Sequence, residues 1–129
     1  MPEPLAGIGG VLGFAPAWYA LGVVTDEFLA RARARWEAGE DPNTEHYRWW
    51  AFGEFLAARR PLPPDLAAAL YALGEADPEP GMGGAMMAAI VHLPECPPAV
   101  LDTAAASGRV HLVRAVARRR ADPGATAER

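Results

Sequence analysis

Hydrophobic residues recur every three to four positions over most of the chain, and no stretch alternates with period two for long enough to demand a strand. The pattern predicts an all-α protein of about six helices arranged as stacked helical hairpins. Thr25 precedes Asp26 and Glu27 and an apolar set at Phe28, Leu29, Ala32 and Trp36, as a capped helix with acids in its first turn would, and Gly39 ends it. Thr44 opens a second helix of about fifteen residues that runs to Arg59-Arg60 before Pro61. Pro63-Pro64-Asp65 starts a third, with Leu66, Ala69, Leu70 and Leu73 on one face up to Gly74. The Pro/Gly-rich run 77–84 breaks the pattern, so the next helix is expected only from about Ala85 to His92. Pro97-Pro98 opens another, ending near Ser107-Gly108. The last spans about Arg109 to Arg120, with Val110, Val113, Val116 and Ala117 inward. Together these predict a single helical domain over 1–120, with the apolar Gly-rich segment 1–24 packed on its core and a tail at 121–129.

A repeat is visible within this pattern. Leu62-Pro63-Pro64-Asp65-Leu66 matches Cys96-Pro97-Pro98-Ala99-Val100 at an offset of 34, and Met87-Ala88-Ala89-Ile90-Val91 lies on Val113-Arg114-Ala115-Val116-Ala117 at an offset of 26. The unit is helix, proline-marked turn, short helix, which cannot bury its apolar face alone and therefore stacks. Over Met87 to Arg119, and more loosely over 49–76, the chain resembles leucine-rich repeat variant units, relatives of the HEAT-like helical repeats. The resemblance implies a binding scaffold. The iron–sulfur cluster known in that family needs an added cysteine segment, and the single Cys96 does not supply one.

Composition narrows the chemistry. The chain of 129 residues has 28 Ala and 12 Arg but no Lys, one Ser (Ser107) and one Asn (Asn43). Without lysine there is neither a Walker phosphate loop nor a Schiff-base amine. Ser107 lacks the G-x-S-x-G turn that exposes a hydrolase nucleophile. One cysteine forms no internal disulfide, which suits a reducing cytoplasm. A net charge of −4 argues against a nucleic-acid binder, although residues 108–129 hold six Arg against two acids, so an anionic partner would approach that end. Leu5 to Val24 is free of charge, but its glycines and Pro16 make a poor membrane helix and no basic leader precedes it. No membrane span is expected.

Candidate functional residues fall in two places. On the second helix Trp49, Phe52, Phe55 and Leu56 form the expected core face, while Tyr47, Trp50 and Glu54 share another stripe. That stripe is either covered by a neighbouring helix or a protein-binding surface, since Tyr and Trp dominate interface hot spots. On the last helix His111, Arg114 and Arg118 lie at i, i+3 and i+7 opposite the valines, either simply solvated or aimed at an external carboxylate or phosphate. His92 and Cys96 are separated by Pro94 and do not make a metal pair, and Gly7-Ile8-Gly9-Gly10 lacks the third glycine of a dinucleotide fingerprint. The sequence therefore points to a non-catalytic, cofactor-free protein–protein interaction module of the cytoplasm, a setting in which an immunity or antitoxin role suits a small acidic bacterial-looking chain. The competing expectations are an acid–base enzyme using Glu45, His46 and Glu54, and a membrane-anchored binding protein.

Overall fold

The computed structural model describes residues 14–40 and 44–121, and among these it holds seven helices and no strand. They are α1 (Pro16–Ala20), α2 (Asp26–Glu37), α3 (Thr44–Arg59), α4 (Pro64–Glu75), α5 (Pro80–Val91), α6 (Pro98–Ala105) and α7 (Val110–Ala121). The protein is all-α. Its residues form two compact units, Met1–Arg60 and Pro61–Arg129, the first holding α1–α3 and the second α4–α7.

Local signals set the helix ends. The Thr25 hydroxyl accepts from the Phe28 amide at 3.2 Å and satisfies one of the free donors at the start of α2. α1 is closed by Gly22 at φ 80°, which lets Gly22 N–H reach the Tyr19 carbonyl and Val23 N–H reach that of Trp18. This turn carries the chain from buried Trp18 into buried Val23 and Val24, so the described end of the N-terminal segment is packed inward. The expectations on residues 1–13 and 122–129 lie outside the described residues. The two Pro-Pro pairs adopt the same geometry: Pro63 (φ −61°, ψ 152°) and Pro97 (φ −66°, ψ 148°) sit extended, and Pro64 and Pro98 begin α4 and α6.

α5 starts at Pro80, five residues before the expected Ala85. The Glu79 carboxylate caps it by accepting from Met82 N–H, and Asp77 in turn accepts from Glu79 N–H at 2.9 Å. Its glycines are there for packing rather than to break it. A Cβ on Gly83 would lie 2.3 Å from the Gly74 carbonyl oxygen, and one on Gly74 would lie 3.0 Å from that of Gly83, so α4 and α5 cross with their backbones nearly in contact. α5 is then surrounded, packing on α4, α6 and α7 and burying Met86, Met87, Ile90 and Val91.

α7 runs parallel to α5. At its start His111 Nε2 meets the Gly84 carbonyl at 3.3 Å, and at its end Arg119 Nη1 donates to the carbonyls of Val91, at 2.8 Å, and Leu93. Arg119 is only 8% exposed, and its guanidinium satisfies carbonyls at the negative end of the α5 dipole. The buried face of α7 is Leu112, Ala115, Val116 and Arg119. This corrects the expected register: Val116 is buried, but Val113 is 37% and Val110 63% exposed, and Ala117 also faces solvent. Arg119 takes a place on the inner face because the end of α5 offers carbonyls to a cation, and that sets the rotation of the helix.

Two pairs of substitutions test this packing. Gly83→Ala should lose about 1–3 kcal/mol in denaturant unfolding, since the new methyl has no room. Gly53→Ala, whose Cβ would meet nothing within 4 Å on α3, should instead gain up to about 1 kcal/mol from helix propensity. Val116→Asp should cost several kcal/mol by burying an unpaired charge, whereas Val113→Asp, at a position the sequence pattern placed inward, should stay within about 1 kcal/mol.

Candidate functional site

In the first unit α2 and α3 form an antiparallel hairpin, with Arg31 opposite Glu54 and Arg35 opposite Tyr47 and Trp50. Phe28, Arg31 and Arg35 fall at i, i+3 and i+7 and so share the α2 face that meets this stripe of α3. Trp50 is half-buried there, its ring 4.6 Å from Phe28 and 5.9 Å from Tyr47. The guanidinium groups of Arg31 and Arg35 lie over the same indole at 5.5 and 4.7 Å. Trp50 Nε1 donates to Glu54 Oε2 at 2.7 Å, while Arg31 grips both carboxylate oxygens at 2.8 and 3.0 Å.

The structure thus brings Tyr47, Trp50 and Glu54 together, but with the groups that cover them. Tyr47 is buried, and Trp50 is shared between stacking and a hydrogen bond. The hydrogen bonds from Arg31 and then Trp50 hold the Glu54 carboxyl below its ordinary pKa, so it stays ionised at neutral pH and is a poor general acid. Arg31 and Arg35 complete this cluster, and their spacing from Phe28 was its sequence signal. Trp49, expected on the core face, is instead 43% exposed and stacks on Phe52 at 5.9 Å. Arg48 is buried in its stead, because the inward arc of α3 centres on Ala51, Phe52 and Phe55 and leaves Trp49 at its edge.

Beside the cluster a cleft of about 180 Å³ opens between α2 and α3, walled by Phe28 and Phe55 and edged by Glu27, Arg31, Glu54 and Arg59. Its two acids and two arginines balance, and Arg59 lies over the Phe55 ring at 5.0 Å. His46 is exposed, and the Glu45 side chain lies outside the described residues. In the second unit burial pushes the Cys96 thiol up to about 11, so it is protonated and poorly nucleophilic at neutral pH. Among the described residues no three His, Cys, Asp or Glu side chains are grouped to hold a metal ion, and no helix is long and apolar enough to cross a membrane.

The other candidates belong to the second unit, on α7. His111, Arg114 and Arg118 are exposed, and Arg120, also exposed, is tied to Asp102 of α6. Turning 100° per residue places Val110, Val113 and Ala117 in one outward stripe, bordered by Arg114 and Arg118 on one side and Arg120 on the other. The helix therefore has an apolar strip on each of two opposite faces, and only one is buried. Sequence reasoning assigned these valines inward and so missed the outer strip; the signal for the true face was Leu112, Ala115, Val116 and Arg119 at i, i+3, i+4 and i+7. Comparison with known proteins finds no matching family model, no similar curated protein and no similar solved structure.

Trp50→Ala should lower folding stability by about 3 kcal/mol or more, read by denaturant unfolding, as removal of a packed aromatic does. The pH dependence follows from Glu54: its folded pKa lies below its unfolded one, so its contribution is in place at neutral pH and fades as pH falls through the folded value. Melting temperature measured against pH should show a shallow acid limb, shallow because the pair is solvent-screened, that Glu54→Gln removes in part.

Proposed function

We propose that the protein is a non-catalytic helical scaffold that binds another protein through the outward face of α7. The observation that carries this reading is the strip of Val110, Val113 and Ala117, held in solvent between arginines on a helix whose inner face is fully used. An apolar centre ringed by charge is the usual anatomy of a protein-binding patch, and arginine is among the residues enriched at hot spots. The reading is also supported by what the chemically able groups are doing. Glu54 is engaged by Arg31 and Trp50, His111 by the Gly84 carbonyl, and Cys96 is a buried thiol. The resemblance of 87–119 to leucine-rich repeat variant units points the same way, since such repeats are scaffolds, and the single cysteine suits a cytoplasmic setting.

The binding surface proposed from sequence moves accordingly. Tyr47, Trp50 and Glu54 serve the α2–α3 hairpin, and Arg114 and Arg118 become the flanks of the patch, with Val110 and Val113 at its centre. The test is affinity capture from the native host with the wild-type chain and with Val110→Glu/Val113→Glu. The variant should melt almost unchanged and lose a stoichiometric bound protein. Retention of that protein by the folded variant would refute the assignment.

A further inference from the structure

We infer that the partner seated on α7 is a second copy of this chain, which receives it on the outward face of α4. The inference rests on the reading of α7 as a docking surface and names its occupant. Within the second unit α4 and α7 both pack on α5, and each turns another face away from that shared neighbour. On α7 that face exposes Val110 and Val113 between its arginines.

The outer face of α4 has the complementary make-up. Its exposed residues are Pro64, Asp65, Ala68, Ala72, Glu75 and, just past the helix end, Ala76. The alanines form a low strip against which larger side chains from another helix can seat, and acids stand at both ends of it. At 1.5 Å per residue, Val110 to Ala117 spans about 10 Å and Ala68 to Ala76 about 12 Å, so the strips match in length. The charges match in sign, with Arg114 and Arg118 beside one strip and Asp65 and Glu75 beside the other. Pairing α7 with α7 of another copy would instead set Arg114 and Arg118 against their own kind.

A contact between two different faces is heterologous, so it repeats from copy to copy and gives rings or open chains. The association should also weaken with salt, because it draws opposite charges together.

The test is sedimentation velocity of the full chain over a concentration series at low and high salt. The expected result is a weight-average mass that keeps rising with concentration beyond a dimer, and less steeply in high salt. Arg114→Glu/Arg118→Glu and Asp65→Arg/Glu75→Arg should each weaken association by at least about tenfold. An equimolar mixture of the two variants should restore pairing, since the reversed charges then face each other. Ala72→Gln, which blocks the α4 strip by bulk on a helix of intact charge, should also leave the chain monomeric, and thermal melts of each variant establish that it folds. A wild-type chain that stays monomeric, a mass that stops at dimer, or association untouched by the α4 variants would overturn the inference. If the wild type is monomeric while Val110→Glu/Val113→Glu still strips a different bound protein, the docking reading stands and only the second copy falls. If that variant also changes nothing, both fall.

Discussion

The contact on which the second unit depends is the crossing of α4 and α5 at Gly74 and Gly83. There a backbone carbonyl occupies the space a side chain would need, and a methyl at Gly83 would sit 2.3 Å from it. Glycine within a helix costs about 1 kcal/mol relative to alanine, and α5 carries Gly81, Gly83 and Gly84 in its first turns. That cost is offset by closeness: with α4 drawn in, Leu70, Tyr71, Met86 and Met87 are all buried. Capping by Glu79 and the preset φ of Pro80 help the weak first turns to form.

A centrally packed α5 then dictates what α7 can do. Its polar backbone atoms must be satisfied wherever α7 covers them. His111 meets the Gly84 carbonyl near one end, and Arg119 takes the carbonyls that leave the other. Two polar pins eight residues apart, on nearly one side of α7, fix its rotation more tightly than the small difference between burying Val113 and burying Leu112 would. The outward strip of Val110, Val113 and Ala117 is the geometric remainder of that choice. A surface feature of α7 is in this sense set by hydrogen-bonding needs inside the unit.

This also explains which parts of the structure were legible in the sequence. Helix class, the Thr25 cap, the Pro-Pro starts and the Gly39 stop are decided within a few residues, and they appear where the pattern placed them. The start of α5 was hidden because glycine is read locally as a breaker, whereas here it serves a partner helix that lies elsewhere in the chain. The rotation of α7 was hidden because a buried arginine looks, in sequence, like any other arginine in a basic run. The stripe of Tyr47, Trp50 and Glu54 was correctly grouped, but the choice between cover and exposure depended on Arg31 and Arg35, residues of another helix. Trp49, expected inward, is exposed while Arg48 is buried for a related reason: hydrophobicity ranks single residues, while the buried arc of α3 is set by where its neighbours lie.

The lysine-free composition gives these points a common chemical basis. Skewed composition explains the number of arginines and says nothing about their placement, yet three of the environments they occupy use distinct properties of guanidinium. Arg31 needs planarity twice over, gripping both oxygens of Glu54 while lying against Phe28 and Trp50. Arg119 needs several donors in a fixed fork, so that one buried cation can serve carbonyls from Val91, Leu93 and Pro94. Arg114 and Arg118 use long stems that can cover apolar surface while the charge stays in water, which suits the edge of a strip such as Val110 and Val113. An ammonium group would serve the last environment tolerably and the first two badly. Net charge is therefore a poor guide to this protein, because Arg119 is buried against carbonyls and Arg31 is paired with Glu54 at the surface, so neither adds to the charge displayed at the rim of α7.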